Sequence, residues 1–138
     1  MENNIENKIK RISEKNKLKR LIKKFSYAFA GLKNAISNHS SFVTHIIIGF
    51  VVCFLSIFFN LSSTEILFIL SAIFSVLISE LINTAIEESI NLFTQEIKRG
   101  AMLAKDSAAA AVLLSVFYSL FIAIIIFGPK IYLFFMNI

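Results

Sequence analysis

Residues 66–91 read ILFILSAIFSVLISELINTAIEESIN. Fourteen residues without a charge, Ile66 to Ser79, lead straight into Glu80. On a helix rising ~1.5 Å per residue, Glu80 falls about 21 Å along an apolar rod, against a hydrocarbon layer roughly 30 Å thick. Asn83 and Glu87 follow at i+3 and i+7, and Asn91 one turn later, so these polar side chains share one helix face. An ionisable group at that depth needs a partner or a water-filled cavity, and by default it marks a functional site.

The flanks complete a membrane protein. Phe42 to Phe59 is an apolar run interrupted only by Thr44, His45 and Ser56, and Ala108 to Phe127 holds twenty uncharged residues before Gly128-Pro129 punctuates its end. Spans are therefore expected at about 42–59, 66–93 and 108–127. Asn60 to Glu65 reads as a short connection and Thr94 to Asp106 as a polar loop. Upstream, Leu18, Leu21, Ile22, Phe25, Phe29, Leu32 and Ile36 recur at helical spacing among lysines, which predicts an amphipathic helix over about 18–38 lying in the membrane interface. Residues 1–17 form a polar, basic arm, expected to be a fraying helix or disordered, with no apolar centre of the signal-peptide kind.

Composition agrees. Of 138 residues, 57% are hydrophobic, more than a soluble core of this size hides. A single Cys, Cys53, excludes a disulfide framework or a Cys-rich zinc site within one chain. Ten of the 14 Lys and Arg residues lie in the first 33 positions, and a basic arm beside a span fits anionic lipid, not nucleic acid. The loops that carry Lys and Arg precede the first span and follow the second, so the positive-inside rule puts the amino terminus in the cytoplasm. Glu80 is then about 9 Å below the cytoplasmic edge and Glu87 close to it.

Carboxylates at such an edge suit a divalent cation, a deeper carboxylate suits a general base acting on a buried hydroxyl, and Lys105 suits phosphate charge. Interhelical hydrogen bonding is the alternative use of the same polar face. No Walker motif, kinase Gly-rich loop, nucleophile elbow or His-Glu-x-x-His signature is present.

Glu80-Leu-Ile-Asn-Thr-Ala-Ile-Glu87, followed after a basic loop by Ala104-Lys-Asp-Ser-Ala-Ala-Ala-Ala-Val-Leu113, resembles the signature of the small prokaryotic diacylglycerol kinases. The Leu-Ile-Asn-Thr wording and Phe127-Gly-Pro-Lys-Ile131 are closer to the Gram-positive undecaprenol kinase branch. Tyr27-Ala-Phe-Ala-Gly-Leu32 and the Asn38, Phe42, His45 spacing extend the similarity over about Phe25 to Ile131. The resemblance implies an all-α integral membrane protein: three transmembrane helices after an interfacial helix, assembled as a trimeric helical bundle with active sites shared between subunits. It implies ATP-dependent phosphorylation of a lipid alcohol, undecaprenol or diacylglycerol, at the cytoplasmic membrane of a bacterium. It assigns Glu80 as general base, Asn83 as a polar active-site residue, Glu87 as a metal ligand, and Lys105, Asp106 and His39 to the nucleotide.

Three positions depart from the family pattern. His39 stands where Glu is usual, Val43 where Arg is usual and Asn91 where Asp is usual. The cofactors implied are ATP and Mg²⁺, or another divalent ion given His39, since imidazole is a poor ligand for Mg²⁺. A catalytically silent relative with a membrane-interaction role, and a small transporter subunit using Glu80 as an ion site, are the rival expectations.

Overall fold

The computed structural model describes residues 2–93 and 98–136, with side chains from residue 14 onward. It contains four helices: α1 (Glu2–Asn38), α2 (Ser40–Phe58), α3 (Ser63–Phe93) and α4 (Arg99–Met136). Residues 1–37 and 38–138 form two separate compact units, the first being essentially α1 and the second α2 to α4.

In the first unit the amphipathic stretch expected over about 18–38 is the carboxyl-terminal part of a longer helix, α1. One helix runs through the polar arm, because no Gly or Pro interrupts the chain before Gly31 and helix-favouring Lys, Glu and Leu dominate it. From Leu18 onward its apolar residues form one exposed stripe, with Leu18, Ile22, Phe25 and Phe29 all more than half exposed. Lys23 lies over the Tyr27 ring, 5.9 Å from its centroid.

In the second unit α3 packs against both α2 and α4. Its buried residues, Ile69, Ala72, Val76, Glu80, Asn83 and Thr84, recur every three or four positions and so form a single stripe. Around its first half lies the apolar core, where Leu61, Ile69, Ala72, Ile122, Ile126 and Phe127 are buried together. Gly49 lets α2 come close, since a Cβ there would stand 3.1 Å from Ile73 Cγ2. The Ser119 hydroxyl of α4 donates to the Ala72 carbonyl at 3.1 Å. Small residues and such cross-helix hydrogen bonds are what hold helices together where lipid removes the hydrophobic drive.

The turn between α2 and α3 is built from two helix-end devices. Asn60 adopts φ 48°, and Leu61 and Asn60 donate their N–H groups to Ser56 and Ile57 carbonyls at 3.0 Å each. This is a Schellman closure with Asn, which tolerates the left-handed region, in place of Gly. Ser62 and Glu65 then form a capping box for α3: Ser62 N–H donates to Glu65 Oε2 at 2.7 Å, and Glu65 N–H donates to Ser62 Oγ at 3.4 Å.

The helix that carries the expected third span is longer than the span at both ends. Helix α4 begins at Arg99, inside the segment read as a loop, and continues past Gly128-Pro129 to Met136. A proline in a helix interior costs about 3 kcal/mol, and contacts beyond it offset that cost here. Lys130 pairs with Glu65 at 3.3 Å, and Phe134 stacks edge-on against Phe58 and Phe59 at 6.0 and 6.1 Å. Helices α2, α3 and α4 are each long and apolar enough to cross a membrane.

The left-handed turn gives a direct test. Asn60→Gly should leave the unfolding midpoint in detergent unchanged or slightly raised, whereas Asn60→Val should lower stability by about 1–2 kcal/mol. Equal behaviour of the two variants would remove Asn60 from the register-setting turn.

Candidate functional site

The buried stripe of α3 changes character along its length: apolar through Val76, then Glu80, Asn83 and Thr84. Glu80 is only 5% exposed, so its carboxylate is enclosed by the helix packing and needs a donor. Ser41, in the first turn of α2, supplies it by donating its hydroxyl to Glu80 Oε1. Asn83 is 9% exposed and donates from Nδ2 to Glu87 Oε1 at 3.1 Å, the i to i+4 pairing that the spacing anticipates. Its Oδ1 is buried without a hydrogen-bond partner. A buried amide oxygen without a partner is rare in a folded protein, and here it belongs to the residue that also holds the half-buried Glu87 carboxylate.

The remaining site residues lie nearer the surface. His39 has an extended backbone at the start of α2 and makes no side-chain cap there; its Nε2 instead meets Glu88 Oε1 at 3.0 Å. Glu88 is thus the partner of His39, although its sequence position set it off the Glu80 face. Lys105 donates to Asn91 Oδ1 at 2.7 Å, bridging α4 and α3, and Asp106 is exposed next to it. Of the three departures noted in the sequence, Asn91 therefore holds Lys105, and His39 meets Glu88. Val43 is half-buried in α2.

Mg²⁺ is bound through one or two carboxylates with substrate phosphates and water completing its shell. Glu87 and the unpartnered Asn83 oxygen fit that donor chemistry. Among the described residues no three His, Cys, Asp or Glu side chains come together to hold a metal by themselves.

Ser41 is the residue that spacing did not find. It lies 39 positions from Glu80, and no periodicity within one helix links them. The Ser62-x-x-Glu65 capping signature, by contrast, was open to reading from the sequence alone.

Replacing Glu80 by Met, which keeps its volume, should leave stability within about 1 kcal/mol of the parent or raise it, because burying a carboxylate is costly. A drop of about 3 kcal/mol or more in a detergent unfolding assay would make Glu80 a structural group.

Residues 26–127 match the family model described as prokaryotic diacylglycerol kinase. Over 116 residues the chain is 33% identical to the undecaprenol kinase of Bacillus subtilis, covering 84% of this chain and 94% of that protein. Over 111 residues it is 30% identical to the diacylglycerol kinase of Haemophilus influenzae, covering 80% and 91% respectively.

Proposed function

Because the chain belongs to the prokaryotic diacylglycerol kinase family, we propose that it transfers the γ-phosphoryl group of ATP to the hydroxyl of undecaprenol or diacylglycerol at the cytoplasmic face of a bacterial membrane. Family membership makes it a lipid kinase; acceptor, donor and membrane side are our reading. The observation that carries this reading is the buried Glu80 carboxylate already accepting a hydrogen bond from a hydroxyl group.

Glu80 takes the proton of the acceptor alcohol as its oxygen attacks the γ-phosphorus and the bond to the bridging oxygen of ADP breaks. Its burial excludes the water that would compete for the phosphoryl group. Asn83 fixes the Glu87 carboxylate, and its unpartnered oxygen and Glu87 would hold a divalent ion, which would supply neutralisation of phosphate charge. Lys105, positioned by the Asn91 amide, serves the nucleotide phosphates, with Asp106 beside it. His39, its ring tied to Glu88, offers a nitrogen to the nucleotide at the opening of α2.

In the same reading α1 lies on the cytoplasmic interface with its Leu18 to Ile36 stripe in the headgroup region, and the amino terminus is cytoplasmic. Three copies assemble and share active sites. The exposed Ala109, Ala110 and Ala111 of α4 support close packing against a neighbouring helix.

The test is phosphate transfer from γ-labelled ATP by purified protein in mixed micelles, with undecaprenol and diacylglycerol tested separately under Mg²⁺ and Mn²⁺. Labelled lipid is expected. Glu80→Gln should lower kcat by at least about 100-fold, and Glu87→Ala should raise the metal concentration needed for half-activity. Full activity in Glu80→Gln would eliminate the base assignment, and absence of lipid product from folded protein would eliminate the kinase reading.

A further inference from the structure

We propose that Ser41 is itself a phosphoryl acceptor, so that the protein phosphorylates its own α2 when the lipid alcohol is absent; this rests on the kinase reading above. The hydroxyl side chains of the helices are mostly turned inward on their own backbone. Ser56, Ser71, Ser89, Ser107 and Ser115 each donate to a carbonyl three or four residues back. Thr44, one turn from Ser41, does the same with the Ser40 carbonyl. Ser41 differs, for among the hydrogen bonds described it is the serine that reaches a carboxylate on another helix.

That carboxylate belongs to Glu80, the one buried glutamate among the described residues, while Ser41 itself is exposed. A buried base holding the hydrogen of an accessible primary alcohol is the ground-state geometry the lipid reaction requires. Diacylglycerol and undecaprenol are primary alcohols too, so chemistry alone does not separate them from a serine. The lipid hydroxyl has to displace Ser41 from Glu80 Oε1 before it can react. Without lipid, Ser41 Oγ forms the new bond to the γ-phosphorus as the bond from that phosphorus to the β,γ-bridging oxygen breaks. ADP departs with the electron pair, and the serine proton passes to Glu80 and then to water.

The experiment incubates the full-length protein in detergent with γ-labelled ATP and Mg²⁺, with and without diacylglycerol or undecaprenol, and maps protein-bound phosphate by mass spectrometry. Acid-stable phosphate on Ser41 is expected without lipid, falling as the lipid concentration rises. Ser41→Ala should lose this label while still turning over lipid at a measurable rate, which shows that it is folded. Glu80→Gln should cut Ser41 labelling by at least about 100-fold. Lipid product with no phosphate on Ser41 would overturn the inference and leave the kinase reading standing. Label on Ser41 that persists in Glu80→Gln would overturn it as well. Neither lipid nor protein product would overturn the kinase reading, and this inference with it.

Discussion

Burying a carboxylate in a row of apolar helices is the constraint on which the second unit depends. Glu80 occupies the same stripe of α3 that packs the helix through Ile69, Ala72 and Val76, so the packing face cannot be completed without enclosing it. An enclosed carboxylate with no donor costs several kcal/mol, and Ser41 is the donor provided. The start of α2 must therefore stand opposite the middle of α3. The hairpin turn sets that register: Gly49 and Ile73 each lie twelve residues from Leu61, while Ser41 and Glu80 lie twenty and nineteen from it. A turn locked by the left-handed Asn60 and by the Ser62–Glu65 capping box transmits its register to a pair of residues nearly twenty positions away on either side.

The rest of the stability has a different origin from that of a water-soluble bundle. Large apolar side chains such as Phe50, Ile57, Leu114 and Phe121 are more than two-thirds exposed, and in water such a surface would aggregate. In hydrocarbon their exposure costs nothing, and association relies on close approach and on polar bonds across helices. Gly49 against Ile73 and Ser119 bonded to the Ala72 carbonyl are instances of each. At the far end the aromatic contacts among Phe58, Phe59, Phe127 and Phe134, with the Lys130–Glu65 pair, carry α4 through a proline that would otherwise end it.

Two of the three residues that set this chain apart from the pattern it resembles, His39 and Asn91, have polar partners on α3 and α4. An imidazole at position 39 finds Glu88, and an amide at position 91 finds Lys105. Each exchange alters charge locally: a neutral amide positions the ammonium without neutralising it, and an imidazole paired with a carboxylate is held in one orientation.

Glu80, Asn83 and Glu87 were legible in residues 66–91 because helical spacing alone brings i, i+3 and i+7 to one face, and the same periodicity exposed the three apolar spans. Composition likewise marked the basic amino-terminal segment, which joins the stripe from Leu18 in one helix, since local propensity carries a helix through polar residues when no Gly or Pro stops it. The continuation of α4 beyond Pro129 was not legible, because a breaker's effect is decided by contacts with residues some seventy positions earlier, Glu65 and Phe59. Nor were the partners Ser41, Glu88 and Asn91. A helix dictates which of its own residues are neighbours, but which side chain of a second helix meets them depends on the register of the turn between the two, and that is a property of the folded chain.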